Sequence, residues 1–175
     1  PFGLPFARFG MPSSTNPTQP VGLRNNDTSA AFALWLCLVC IGCLIYASPR
    51  WSFLSSNDVI WLRVMQSKPL LRLAWDQFTA GSPLDYRPLA TLYLRALQAL
   101  FGDWAPGYYA CNLLLHSLNA LLVYFVARTL RLSWRSATAA AFLILIHPAP
   151  LRAVRWVNDG ANLVQTQFLL LSLLL

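Results

Sequence analysis

The chain has 175 residues, of which 57% are hydrophobic and only 11% are charged. A soluble domain carries roughly 25% charged residues, so this composition excludes an ordinary soluble protein. Together with several long apolar runs, it indicates an integral membrane protein whose first partners are membrane lipids. The formal net charge is +7, but the basic residues are spread along predicted loops, which argues against nucleic acid as a partner.

The N-terminal part is predicted to hold an extended segment and a first membrane span. Residues 1–28 are rich in Pro, Gly, Asn, Ser and Thr, a composition that forms no core and suits docking on a partner. Residues 29–48 are uncharged over twenty residues, about the length that crosses a bilayer. We interpret them as an uncleaved anchor, because a signal peptide would begin nearer the N terminus.

Three cysteines in this span have the spacing of metal ligands but not the setting. Cys37, Cys40 and Cys43 lie within the apolar run, and no further ligand is close in sequence. Thiolates are costly there, so we interpret these residues as small packing groups and expect neither a metal site nor a disulfide.

Residues 49–107 are predicted to form a long external loop with short amphipathic helices. One helix begins near Asp58, and residues 69–78 indicate another. Residues 88–101 predict a helix that starts with Pro88 in its first turn and ends at Gly102. Because its fourteen residues are too few to cross a bilayer, this helix is expected to lie at the membrane interface.

Residues 108–175 are predicted to hold three further transmembrane helices, near 108–128, 132–148 and 161–175. The predicted fold class is therefore all-α and polytopic, with about four transmembrane helices. The chain starts at Pro1 and stops inside an apolar run, so we expect it to be a piece of a longer protein.

A face of polar residues runs along the helix predicted at 108–128. Asn112, His116 and Asn119 recur at i, i+4 and i+7, which places them on one helical face; we call them the polar seam. Polar groups are costly in lipid, so the seam is expected to face protein. It either joins helices by hydrogen bonds or lines a functional cavity. The last helix repeats this spacing with Asn158, Asn162 and Gln165.

The loop between the second and third predicted spans sets the expected orientation. It carries Arg128, Arg131 and Arg135, and short cytoplasmic loops are enriched in positive charge. This loop and the N terminus are therefore placed in the cytoplasm, and residues 49–107 and 151–159 outside. Arg152 and Arg155 oppose this orientation, and an anionic partner such as a lipid phosphate would explain them.

Five short motifs occur in order along residues 50–175. They are Asp85-Tyr-Arg-Pro-Leu89, Leu-Phe-Gly102, the stretch from Tyr108 to Ala120, His147-Pro148, and Ala153-Val-Arg-Trp156. In this order they resemble the N-terminal membrane half of the GT-C glycosyltransferases. The nearest resemblance is to the transmembrane O-mannosyltransferases with tetratricopeptide repeats and their bacterial relatives. The resemblance implies a polyprenyl-phosphate sugar as donor substrate, and the bacterial relatives lead us to expect a bacterial inner membrane. No cofactor follows from the sequence.

The resemblance also implies roles for single residues. Asp58 falls on the catalytic carboxylate of the first external loop, where it would take the proton of an acceptor hydroxyl. Arg87 would bind the donor phosphate, with Arg152 and Arg155 as further ligands, because an Arg can hold a phosphate through two parallel hydrogen bonds. Asp58 could instead simply begin a helix, where a carboxylate favours the dipole.

The remaining candidate residues are expected to line a cavity at the external membrane face. His147, Asp159 and Asn162 join the polar seam in this set. We predict that Asp58, Arg87, His147 and Asp159 converge there, with the side chains of Asp58 and Arg87 within ~10 Å of each other, judged against the depth of the interfacial region. Otherwise His147 caps the end of a helix, and Asp159 belongs to an ordinary turn.

The departures from the family's pattern concern catalysis rather than the fold. Asn57 replaces the first acid of a pair, Pro150 and Arg152 follow His-Pro where an imidazole and an acid are common, and Asn162 stands near a position that often carries an acid. Two functions therefore stay open. The chain is a membrane glycosyltransferase, or it is a non-catalytic structural subunit of a larger membrane complex.

Overall fold

The computed structural model describes residues 25–46, 59–60, 62–63, 66, 68–79 and 88–175. Most of these residues are helical, and they contain no β-strand, as the sequence predicts. The α-helices among them are α1 (Asn25–Tyr46), α2 (Leu70–Thr79), α3 (Pro88–Phe101), α4 (Ala105–Thr129), α5 (Trp134–Ile146), α6 (Leu151–Arg155) and α7 (Ala161–Ser172). A 3-10 turn at Asn158–Gly160 precedes α7. The predicted site residues Asp58 and Arg87 lie outside the described residues.

Two of the four predicted spans are long and apolar enough to cross a membrane. They are Ser29–Tyr46 within α1 and the whole of α4, Ala105–Thr129. Only 17% of the α1 span is buried inside the fold, so most of its apolar side chains face outward, as they would toward lipid. α4 begins three residues before the predicted Tyr108, with Pro106 in its first turn.

The helices at the other two predicted spans are shorter. α5 has 13 residues and α7 has 12, which is about 20 Å of helix against about 30 Å of hydrocarbon. α5 ends where the sequence predicts, because Pro148 and Pro150 have no N–H with which to continue it. Complete crossings by α5 and α7 stay predictions.

α3 has the bounds that the sequence predicts. Gly102 follows it with a φ of 55°, and the Gly102 N–H donates to the Gln98 carbonyl at 2.8 Å. Glycine adopts this left-handed position without the clash that a Cβ would bring. Leu94 and Leu97 pack α3 against the start of α4. The location of α3 at the membrane interface stays a prediction.

α4 is the helix around which the described fold is arranged. It packs against α1, α3, α5, α6 and α7, and three apolar clusters follow its length. The cluster at Tyr108 joins α4 to α2 and α3. The cluster at Leu113 joins it to α1, α6 and α7, and the cluster at Ala120 joins it to α1 and α5. The seam helix is thus the core helix.

The carbonyl of Leu145 in the last turn of α5 is the point where α1, α4 and α5 meet. Within a helix it would accept from the N–H of Ala149, but that N–H donates to Nδ1 of His147 at 3.1 Å. The freed carbonyl accepts from the Tyr46 hydroxyl at 2.7 Å, and Nε2 of His116 lies 3.2 Å from it. Because a carbonyl only accepts, this second contact requires the hydrogen of His116 on Nε2.

Replacing Tyr46 by Phe should lower the free energy of unfolding by about 0.5–1.5 kcal/mol. The ring stays, but the hydroxyl that donates to the Leu145 carbonyl is lost. Thermal unfolding in detergent measures the effect. Tyr124→Phe is the matched control, since the Tyr124 ring contacts Phe125 and its hydroxyl makes no hydrogen bond within the described residues. Equal losses in the two variants would contradict the role of Tyr46.

Candidate functional site

The polar seam faces protein, as the sequence predicts. Asn112 is 0% exposed, His116 2% and Asn119 1%. His116 contacts the Leu145 carbonyl, and Nδ2 of Asn119 donates to the Leu163 carbonyl of α7 at 2.8 Å. These are hydrogen bonds that join helices. A cavity lined by the seam stays a prediction.

Asn112 connects α4 to three other parts of the fold. Its Oδ1 accepts from the Tyr93 hydroxyl of α3 at 2.8 Å, and its Nδ2 lies 3.5 Å from the Trp156 carbonyl that follows α6. Its side chain also packs directly on Gly160. Burial raises the pKa of Tyr93 far above its ordinary value, so the Tyr93 hydroxyl keeps its proton and remains a donor at neutral pH.

A pocket of about 490 Å³ lies beside this junction, between α6, the 3-10 turn and the first turns of α7. Four polar side chains line it, namely Arg152, Asp159, Asn162 and Thr166. Pro150 and Leu163 contribute apolar walls. Ligand pockets of proteins commonly measure about 300–1,000 Å³, so this one is large enough for a small polar group such as a sugar or a phosphate.

Arg152 is the cationic side chain of the pocket, and two neighbours orient it. Its Nε donates to Oδ2 of Asp159 at 2.5 Å, and its guanidinium carbon lies 4.5 Å from the centre of the Trp156 ring. The Arg152 side chain is 68% exposed and that of Asp159 only 14%. A guanidinium has five N–H donors, and Asp159 engages the one on Nε. The terminal nitrogens of Arg152 are therefore available to an anion.

The structure brings some of the predicted site residues together and leaves others apart. Arg152, Asp159 and Asn162 share the pocket. Arg155 is exposed in the last turn of α6. His147 is exposed and occupies the C-cap position of α5, the alternative that the sequence left open for it, and its Nδ1 accepts from the Ala149 N–H. The predicted approach of Asp58 to Arg87 lies outside the described residues.

Two residues of the site have no counterpart among the sequence predictions. Thr166 lines the pocket four residues after Asn162, on the same face of α7, whereas Gln165 of the predicted polar face does not line it. The spacing of Asp159, Asn162 and Thr166 (i, i+3 and i+7) was a usable signal for this face. Gly160 was missed as well, since close packing on Asn112 leaves no pattern in the sequence. No group of three or more His, Cys or Asp side chains forms among the described residues.

The curated proteins found to resemble the chain are each named as a protein O-mannosyl-transferase. Protein O-mannosyl-transferase Tmtc1 of Drosophila melanogaster is 32% identical over 177 residues, which cover 93% of this chain and 20% of that protein. Protein O-mannosyl-transferase TMTC4 of Homo sapiens is 34% identical over 143 residues, 70% of this chain and 19% of that protein. The chain is a relative of the TMTC O-mannosyl-transferases. The predicted resemblance is thereby confirmed.

The similarity to the TMTC proteins covers much of this chain but only a small part of each relative. Drosophila Tmtc2 is 38% identical over 96 residues, 54% of this chain and 10% of that protein. The chain thus spans about a fifth of the length of Tmtc1 and of human TMTC4. No family model matches the chain, and no solved structure matches it.

Replacing Gly160 by Ala should destabilise the fold by about 1–3 kcal/mol, the usual range for overpacking. A Cβ at this position would overlap Oδ1 of Asn112. The penalty should shrink in an Asn112→Ala background, which removes the obstructing amide, so a double-mutant cycle measured by thermal unfolding isolates the contact. Additive effects in that cycle would show that Gly160 does not pack on Asn112.

Proposed function

We propose that this chain is the part of a membrane glycosyltransferase that binds a polyprenyl-phosphate sugar and transfers the sugar, a mannosyl group, to an acceptor hydroxyl. The similarity to proteins named O-mannosyl-transferases over 93% of the chain carries the proposal. The pocket at Arg152 and Asp159 supports it, because it offers a cation and hydrogen-bonding groups of the kind that a phosphate-linked sugar requires.

The proposed reaction is a substitution at the anomeric carbon. The acceptor oxygen forms a bond to this carbon, and the bond from the carbon to the phosphate oxygen breaks. The bonding electrons leave with the polyprenyl phosphate, and the acceptor proton goes to a carboxylate. We assign that carboxylate to Asp58, by resemblance to the family. Cations near the phosphate stabilise the negative charge of the leaving group.

Arg152 is proposed to bind the phosphate through its terminal nitrogens, while Nε stays on Asp159. The stacking on Trp156 supports this role, since it holds the guanidinium plane at a fixed place beside the pocket. Arg87 is the second proposed phosphate ligand, and Arg155 the third. Asn162 is proposed to hydrogen-bond the sugar. His147 and the polar seam do not line this pocket, and their part in a larger cavity stays a prediction from the sequence.

The proposed topology has four crossings, with the N terminus in the cytoplasm. The turn between α4 and α5 is then cytoplasmic, and α3 lies at the external interface. The apolar helices α1 and α4 and the membrane-associated relatives support an integral membrane location. A bacterial inner membrane stays a prediction from the sequence, and the relatives found are eukaryotic.

The alternative of a non-catalytic subunit is not favoured. Its motivation is the short chain and the acids that are absent from the family's pattern. The relatives found are named as transferases, and none is named as a scaffold. Other membrane subunits remain partners only in this alternative.

Asp58→Asn in the full-length protein should lower sugar transfer by about 10²- to 10⁴-fold, the usual contribution of a general base. Transfer from a polyprenyl-phosphate mannose donor to an acceptor is measured in membranes with matched protein levels. Asp103→Asn is the control, because Asp103 is an exposed carboxylate in the turn before α4. Full activity of Asp58→Asn would remove Asp58 from the mechanism.

Arg152→Gln should raise the KM for the donor by about 10- to 100-fold, the effect of losing a hydrogen bond to a charged group. Because the variant leaves the mostly buried Asp159 carboxylate without its cationic partner, thermal unfolding is measured in parallel and KM is determined only where the variant is folded. Arg72→Gln removes the same charge from an exposed site on α2 and should leave KM unchanged. An unchanged KM in Arg152→Gln would place the donor phosphate elsewhere.

A further inference from the structure

The turn between α4 and α5 exposes basic and apolar side chains side by side. We call it the basic turn and define it by the residues Arg128, Leu130, Arg131, Leu132, Trp134 and Arg135. All six are exposed, so the turn presents three guanidinium groups and three large apolar groups on one short segment. Surfaces that combine both kinds of group are typical of protein that meets the boundary of a membrane.

Arg131 occupies a backbone position that normally belongs to glycine. Its φ is 62°, and among the described residues it is the one non-glycine residue with a positive φ. The Arg131 N–H donates to the Arg128 carbonyl at 3.0 Å, and the Leu132 N–H donates to the Ala127 carbonyl at 3.1 Å. This pair of bonds is the Schellman motif, with Arg131 at its left-handed residue. A side chain with a Cβ is unfavourable there, so the fold tolerates strain at the residue that presents the guanidinium.

The three arginines have donors left over for an external anion. Nη1 of Arg128 donates to the Leu132 carbonyl at 2.9 Å. The guanidinium carbon of Arg135 lies 5.4 Å from the centre of the Trp134 ring. The ion pairs of the described side chains, Lys68–Asp76 and Arg152–Asp159, do not involve them. Their charge is therefore not neutralised by a carboxylate within the described part of the chain.

The length of α4 places the basic turn at the depth of the lipid headgroups. α4 has 25 residues, or about 37 Å of helix, which exceeds the roughly 30 Å of hydrocarbon in a bilayer. The last turn of α4 thus extends to the level of the headgroups. Trp104, which precedes α4, and Trp134, which begins α5, are each 60% exposed. Tryptophan favours both interfaces of a membrane, so the two residues are placed as expected for a helix that crosses between them.

We propose that the basic turn binds the headgroups of anionic phospholipids in the leaflet that it meets. The arginines hydrogen-bond the phosphate oxygens, while Leu130, Leu132 and Trp134 enter the boundary between headgroups and acyl chains. The exposed apolar groups favour a lipid over a free phosphate or a soluble acidic partner, since those ligands would leave them in water. This surface is separate from the sugar-transfer site and does not depend on that function.

The test titrates the full chain in a neutral detergent with dioleoyl phosphatidylglycerol and, separately, with dioleoyl phosphatidylcholine. Ligands that bind the folded state raise the midpoint of thermal unfolding, so the titration reports the apparent affinity. We expect a rise with phosphatidylglycerol that is larger than with phosphatidylcholine and that diminishes in high salt. Inorganic phosphate at the same concentrations should not reproduce it.

Two variants at Arg131 separate lipid binding from backbone strain. Arg131→Gly should raise the midpoint without lipid by roughly 2–4 °C, because glycine suits the left-handed backbone, and should weaken the affinity for phosphatidylglycerol about fivefold, the contribution of one basic residue near an anionic surface. Arg131→Gln should weaken the affinity equally without the rise in midpoint. Arg131→Lys should retain most of the affinity, and Arg72→Gln is the matched control for lost charge.

Several results would overturn the proposal. The proposal fails if the affinity for phosphatidylglycerol is unchanged in Arg131→Gly and Arg131→Gln. It also fails if Arg72→Gln loses as much affinity as either of these variants. An equal response to the two lipids would indicate a purely apolar contact. A full response to inorganic phosphate would indicate a site for a soluble anion instead of a leaflet.

Discussion

The described fold depends on the backbone carbonyl that proline frees at the end of α5. Pro148 and Pro150 cannot continue the helix, and the last N–H that could serve Leu145 is taken by His147. An unpaired carbonyl in an apolar bundle is unfavourable. Tyr46 and His116 satisfy it from two other helices, so a helix end becomes the junction that fixes α1 against α4 and α5. This acceptor therefore adds a hydrogen-bonded junction to the apolar cluster that packs the same three helices together.

The polar seam connects this junction in the core to the pocket through hydrogen bonds and close contacts. His116 holds the end of α5, and Asn112, one turn nearer the start of α4, holds Tyr93, the Trp156 carbonyl and Gly160. Gly160 is adjacent to Asp159, and Asp159 orients Arg152. The buried amide of Asn112 thus contacts the backbone next to Asp159 and helps to position the ion pair of the pocket. In a membrane such hydrogen bonds add to the packing contacts that hold helices together.

The sequence predicted those features that a single helix determines. The i, i+4, i+7 spacing correctly placed Asn112, His116 and Asn119 against protein, and the proline and glycine signals gave α3 its bounds. Contacts between distant segments were not predictable, because the Tyr46 hydroxyl meets Leu145 across 99 positions of sequence. Of the polar face that the sequence predicts on α7, Asn162 lines the pocket and Gln165 does not. Asp159 reaches the pocket from the 3-10 turn that precedes α7, where the spacing of an α-helix does not apply.

The pocket exists because α5 ends early and the chain continues as an irregular segment. α6 packs through Val154 on Leu113, which stands roughly 12 Å along α4 from its first residue. Residues 147–160, largely outside long helices, therefore reach into the depth of the bundle. Irregular backbone is tolerated at that depth where it is buried in protein or borders a wet cavity. Both conditions are met: Val154 and Val157 are 0% and 1% exposed, and Arg152 and Asp159 face the pocket. A helix that crossed without interruption would satisfy its own backbone and leave no such opening, so the early end of α5 is what makes room for a polar ligand.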